Sequence, residues 1–193
     1  MKFMKLDSDT NFIVSGLERS GTSMLMQILN AGGIPIEFDR SRKSDQDNPK
    51  GYYELEGGKI INRLIDKSFQ FERYKGSFIK ITAYGLKFLP MDRYKIIYSE
   101  RKIEEILDSM EEMAGIRDKA RDETRKAFLK LNKTIKEKII ERNDIDVLFV
   151  NYNEILMDPL YEVRKILDFL EASEADIDSM IQVVDRKLYR HRK

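Results

Sequence analysis

Within eight residues, Gly16 to Ser23, the chain gathers two glycines separated by four residues, one arginine and three hydroxyls. That set is suited to holding an anion. Glycines let a backbone curl around a phosphate-sized group with its N–H groups turned inward. Arg19, Ser20, Thr22 and Ser23 add side-chain donors. The spacing alone is common, and its neighbours give it meaning. Asn11 to Ser15 is a short apolar run that reads as a buried parallel strand. Thr22 to Ala31 repeats Met24, Leu25, Ile28 and Leu29 at helical spacing and stops at Gly32-Gly33. A loop between such a strand and such a helix brings loop amides and the helix dipole onto one anion. The bland alternative is a strand-to-helix turn with no ligand.

Other chemistries are excluded by what the chain lacks. It has no cysteine, hence no disulfide, no thiolate nucleophile and no Cys-ligated metal. Its one histidine, His191, stands three residues from the end, which leaves no basis for a multi-histidine metal site or a Ser-His-Asp triad. The loop is not a Walker A motif, which requires Lys where Thr22 stands. No strand ends in the apolar run plus Asp that holds magnesium in nucleotide hydrolases: Val147 to Val150 runs into Asn151, and Ile96 to Tyr98 into Ser99-Glu100.

The elements that must position the loop follow from periodicity. Phe78 to Thr82, Tyr94 to Tyr98 and Val147 to Val150 read as strands. Glu54 to Asp66, Ile103 to Met113 and Pro159 to Leu170 read as helices, the last with Asp158 as N-cap and Pro159 at the first helical position. The buried stripe of the second of these is Ile103, Ile106, Leu107 and Met110. Arg117 to Asp144 carries 16 charged residues in 28, with Phe128, Leu131, Ile135 and Ile139 three or four apart. That predicts one amphipathic helix with a wide solvated face. Asp39 to Gly51, with Asn48-Pro49-Lys50-Gly51 as a turn signal, reads as an ordered loop or lid. Strands alternating with helices give an α/β fold around a mostly parallel central sheet.

With 193 residues, 41% hydrophobic and 36% charged, the chain fits a single domain, residues 1–193, and neither a disordered nor an integral membrane protein. Thirty-five basic and 34 acidic residues leave a net charge of +1, so no nucleic-acid partner is expected. Met1 to Ser15 mixes Asp7, Asp9 and two lysines into its apolar residues, unlike a signal peptide or anchor. The expected setting is cytoplasmic, with no membrane partner.

The run Phe12-Ile-Val-Ser-Gly-Leu-Glu-Arg-Ser-Gly-Thr-Ser-Met24 resembles the 5′-phosphosulfate loop of the sulfotransferases, where a strand leads into Pro, Lys or Arg, then Ser-Gly-Thr-Thr/Ser. Asn48-Pro-Lys-Gly-Tyr-Tyr-Glu54 is similar to an Asn-Pro-x-Gly-x-x-Glu segment of bacterial members. Tyr94-Lys-Ile-Ile-Tyr-Ser-Glu-Arg101, with Ser109 eight residues on, resembles the strand and helix that bind the 3′-phosphate. Asn151-Tyr-Asn-Glu-Ile-Leu-Met-Asp-Pro159, running on to Phe169-Leu170, resembles the late Tyr-Glu-x-Leu-x-x-Asp-Pro strand and helix. The likeness covers about 160 residues in order.

That resemblance implies a P-loop nucleotide-binding type of three-layer fold. It implies sulfuryl transfer from 3′-phosphoadenosine 5′-phosphosulfate to a hydroxyl or amine, with no metal expected. Gly16, Arg19, Ser20, Gly21, Thr22 and Ser23 would bind the 5′-phosphate, and Arg101 and Ser109 the 3′-phosphate. A basic tail would close over the 3′-phosphate through Arg190 and Arg192, unless it is simply a solvated terminus. For Arg101 the competing reading is an ion pair with Glu104 or Glu105, and for Ser109 an ordinary helix-face hydroxyl.

Two departures bear on chemistry. Animal cytosolic members carry Lys-Thr-His, whose histidine is the base; here the stretch is Lys80-Ile81-Thr82. Lys80 would touch the transferred group, or else point to solvent. Glu54 is then the candidate base, because other branches use a glutamate; the alternative is a helix N-terminal Glu favoured by the macrodipole. Asp45 and Asp47 are weaker candidates. Glu18 replaces the usual Pro and must point away from a bound phosphate.

The acceptor, a small molecule, peptide or saccharide, would meet the Asp39–Gly51 loop and Tyr52, Tyr53, Phe69 and Phe71, which otherwise belong to the core. The oligomeric state is not legible. Two other readings stay open: a P-loop kinase or nucleotide hydrolase, and a member that binds the nucleotide without catalysis.

Overall fold

The computed structural model of the chain describes residues 4–39 and 51–184. Four strands, β1 (Asn11–Gly16), β2 (Phe78–Lys80), β3 (Tyr94–Glu100) and β4 (Ile145–Asn151), form one sheet in the order β2-β1-β3-β4. Every pairing is parallel, with Ile13 in register with Ile79 and Ile96, and Ile96 with Val147. Parallel sheets are covered on both faces, and these strands show why. Along β1, Phe12 and Val14 pack on one face while Ile13 packs on the other.

On the first face lie α1 (Thr22–Ala31), α6 (Pro159–Leu170) and α7 (Ile177–Gln182), contributing Leu25, Ile28, Leu29, Val163, Ile166 and Met180. On the second lie α2 (Ile60–Ile65), a 3₁₀ segment (Ala83–Phe88), α3 (Ile103–Ala114) and α4 (Arg121–Ile140), contributing Leu64, Leu86, Ile106, Ile135 and Ile139. The short α5 (Tyr152–Met157) leads from β4 into α6. The result is a three-layer α/β architecture around a parallel sheet, as expected. None of the described helices is long and apolar enough to cross a membrane.

α1 and α6 have the expected bounds, and the Asp158 side chain accepts a hydrogen bond from the Tyr161 N–H at 3.1 Å, as an N-cap does. Two spans differ. The helix expected over 54–66 is a 3₁₀ turn (Glu56–Gly58) followed by α2, and Glu54 lies ahead of both. Glu56, Gly57 and Gly58 take positive φ there, which no α-helix accommodates. The charged helix expected over 117–144 is α4, four residues shorter at each end. Asp118 caps its approach by accepting from the Ala120 N–H at 2.8 Å. Phe128, Leu131, Ile135 and Ile139 do face the core.

β1 has β2 on one side and β3 on the other, so the chain leaves the sheet in opposite directions around β1 and opens a crevice at the carboxyl ends of β1 and β3. In open α/β sheets ligands bind at such a switch point. The glycine loop follows β1 into that crevice.

Candidate functional site

The loop from Gly16 to Ser23 is held from below and from the side. Ser99, at the end of β3, donates its hydroxyl to the Ser20 carbonyl at 2.7 Å. Gly16 lies so close to this contact that a Cβ would sit 2.5 Å from Ser20 Oγ and 2.7 Å from the Ser99 carbonyl oxygen. Gly21, the N-cap of α1, has φ 104, and a Cβ there would meet Tyr152 Cδ2 at 2.3 Å. Both glycines are therefore required by close approach. No side chain caps α1 and no acid stands in its first turn, so the helix presents its amide end to the loop. Thr22 and Ser23 form that first turn and are partly exposed. Ser20 Oγ is buried with no hydrogen-bond partner among the described residues. A buried hydroxyl in a glycine-walled cradle at a helix N-terminus fits a phosphate-type acceptor. Glu18 is exposed.

Arg19 adopts φ 64. That left-handed conformation costs an L residue roughly 1–2 kcal/mol, so neighbours must enforce it. Arg101, just past β3, donates from Nη1 to the Arg19 carbonyl at 3.0 Å. Arg19 in turn donates from Nε to Ser109 Oγ at 2.9 Å. Arg101 Nε donates to Glu105 Oε2 at 2.9 Å, and Asn153 Nδ2 donates to both Glu105 oxygens at 3.0 and 3.2 Å. The Arg101 guanidinium also stands 4.4 Å from the centre of the Tyr152 ring, within cation–π reach. Burial pushes the pKa of the Tyr152 hydroxyl up.

Of the two partners the sequence offered Arg101, Glu105 is the one used, while Glu104 pairs with Arg121 and Arg125. The Arg101 pair is not a surface bridge: its side chains are only 7% and 11% exposed. Nor is Ser109 an ordinary helix-face hydroxyl, being buried and bound to Arg19.

On the β2 side of the loop lies a second cluster. Lys80 is buried, so the solvent-facing reading is overturned. Its Nζ donates to the Tyr52 carbonyl at 2.6 Å and to Ser23 Oγ at 3.2 Å, and lies 3.0 Å from Glu54 Oε1. Glu54 is therefore an ion-pair partner of Lys80 and not a helix N-terminal acid. These two residues line a crevice walled by Ile60, Ile61, Leu64 and Ile81. Lys80 and Ser23 join this cluster directly to the first turn of α1.

Phe69 and Phe71 do not floor an acceptor pocket. They pack on each other and on Tyr74 and Tyr94 in the core. Tyr52 is buried too; Tyr53 is half-buried, its ring tilted against that of Phe38 with centroids 4.8 Å apart, and burial raises its pKa. Asp45, Asp47 and Asn48 to Lys50 lie outside the described residues, as do Arg190, His191 and Arg192. Glu105 and Asn153 were not singled out for the site. The Arg101–Glu105 spacing was the available signal, but nothing local places Asn153 against it.

A family model for the sulfotransferase domain matches residues 9–189. The chain belongs to the sulfotransferase family. Among solved structures it is similar to mouse sulfotransferase SULT7A1 complexed with PAP, at 17% identity and a TM-score of 0.52, over 96% of this chain and 67% of that one. It is also similar to the sulfotransferase domain of the Synechococcus PCC 7002 olefin synthase, at 15% identity and a TM-score of 0.50, over 100% of this chain and 87% of that one. At such identities these likenesses speak for the fold. No curated protein matches the sequence.

Proposed function

We propose that the chain transfers a sulfuryl group from 3′-phosphoadenosine 5′-phosphosulfate to a hydroxyl or amine acceptor. The observation that carries this reading is the pairing of two clusters on one glycine loop: Arg19, Arg101 and Ser109 on the β3 side, and Lys80 with Glu54 on the β2 side. The PAP bound to the mouse enzyme supports the choice of donor.

When bound, the donor supplies an activated sulfuryl group on a phosphate leaving group. The protein's contribution is positioning and charge stabilisation, as in phosphoryl transfer. Loop amides and Arg19 would hold the 5′-phosphate and stabilise charge that builds there. Arg101 would hold the 3′-phosphate, with Ser109 free to donate its proton while accepting from Arg19. Lys80, at the end of β2 and hydrogen-bonded to Ser23 in the first turn of α1, would face the group in flight. Glu54 Oε1 lies 3.0 Å from Lys80 Nζ, and in this reading its carboxylate would take the acceptor's proton.

The test is donor-dependent turnover against hydroxyl and amine acceptors, with Glu54→Gln and Lys80→Met beside wild type. Each variant is expected to lower kcat by about 10²-fold or more while leaving adenosine 3′,5′-bisphosphate affinity within about threefold. Binding of the bisphosphate without turnover on any acceptor would instead identify a nucleotide-binding member that does not catalyse. Magnesium-dependent ATP hydrolysis would point to the kinase-like alternative.

A further inference from the structure

We propose that Arg101 is also the latch of the 5′-phosphate loop, and that Glu105 and Asn153 are positioning residues acting through it, so that the two phosphate subsites form one coupled unit. This rests on the donor reading above. Arg101 has a role that needs no 3′-phosphate: its Nη1 holds the Arg19 carbonyl, and Arg19 carries the left-handed backbone that opens the loop. The guanidinium is itself fixed from two directions, by Glu105 Oε2 at Nε and by the Tyr152 ring beneath it. Glu105 is fixed in turn by the Asn153 amide, from the start of α5. The circuit closes through Arg19 Nε to Ser109 Oγ, on the same helix as Glu105.

A buried carboxylate beside an anion site is costly for anion affinity on charge alone. Its retention here is explained by geometry: an arginine fork held at Nε presents its remaining N–H groups in fixed directions. The charge argument and the positioning argument predict opposite signs. If Glu105 acted by charge alone, removing it would tighten anion binding. If it positions Arg101 and thereby the loop, removing it weakens binding, including that of a nucleotide with no 3′-phosphate.

The experiment titrates adenosine 3′,5′-bisphosphate and AMP into wild type, Glu105→Ala and Glu105→Gln, with binding read by calorimetry or by ligand NMR for the weaker pairs. AMP carries the 5′-phosphate only. The expected result is that Glu105→Ala weakens AMP at least fivefold and the bisphosphate at least as much. Glu105→Gln, which keeps an oxygen for Arg101, stays within about twofold of wild type. Should Glu105→Ala fail to fold, Arg101→Lys carries the same test. Lysine keeps a cation near the 3′-phosphate but cannot bridge Glu105 and the Arg19 carbonyl together, so AMP binding is again expected to weaken. A loss confined to the bisphosphate, or AMP binding unchanged or tightened, overturns the latch while leaving the donor reading intact. Failure of wild type to bind the bisphosphate overturns both.

Discussion

Gly21 and Tyr152 meet at the point where the loop, α1 and α5 converge, and their contact makes a residue-scale prediction. A methyl group at Gly21 would overlap the Tyr152 ring on a backbone at φ 104. Gly21→Ala should therefore destabilise the protein by about 1–3 kcal/mol, a fall in melting temperature of roughly 2–12 °C for a chain of this size. Because the displaced ring lies under Arg101, bisphosphate affinity should fall as well. Thermal melting with and without ligand reads both effects; an unshifted melting temperature would mean that the loop relaxes freely and the close packing is irrelevant. Single residues were also where the sequence left alternatives open that only packing decides. Lys80 alternates with core residues on a strand and is buried against Glu54 and the Tyr52 carbonyl, a fate that depends on a segment 28 residues away. Phe69 and Phe71 look like any aromatics near a site until their packing on Tyr94 is known.

At the scale of elements, what was legible was local. β1, the glycine loop and α1 are contiguous, so periodicity and glycine placement delimit them; α6 is marked by its Asp158-Pro159 start. α5 and α7, six residues each, are too short for a period to declare itself, and the left-handed backbone at 56–58 breaks the helix expected over 54–66. The opposite end of the sheet from the site is tied by Arg142. It donates to the Leu89 carbonyl at 2.9 Å and to Asp144 Oδ1 at 2.9 Å, while Asp144 accepts from the Asp92 N–H at 3.1 Å. The Arg142 guanidinium holds the Asp144 pKa down at about 2. A carboxylate whose folded-state pKa is depressed adds stability above its unfolded value, near 4, and loses it as pH falls towards 2. Unfolding free energy of the wild type should drop across that window. Asp144→Asn should be less stable at neutral pH and show a shallower decline between pH 4 and 2, as read by denaturant titration over pH. An unchanged slope would show that this pair contributes nothing to linkage.

Taken whole, the molecule is a parallel sheet whose switch point beside β1 carries two clusters of different character. The cluster toward β3 is built from arginines, a hydroxyl and a supporting carboxylate, and suits phosphates. The cluster toward β2 is a lysine–carboxylate pair beside aliphatic walls, the pair proposed to serve the transfer step. Order along the chain made the family legible, because four short motifs occur in the family's sequence. The contacts within the β3-side cluster were not legible, since Arg19 meets Arg101 and Ser109 only once β1, β3 and α3 are assembled. The central claim is that this switch point is a site for a nucleotide with both 3′- and 5′-phosphates. Calorimetric titration with adenosine 3′,5′-bisphosphate, against ATP plus magnesium, tests it most directly, using wild type, Arg19→Ala and Arg101→Ala. The account predicts micromolar or tighter binding of the bisphosphate, preferred over ATP, and a loss of at least tenfold, about 1.4 kcal/mol, in each variant that still folds. Equal binding of ATP, with no effect of Arg101→Ala on the bisphosphate, would contradict it.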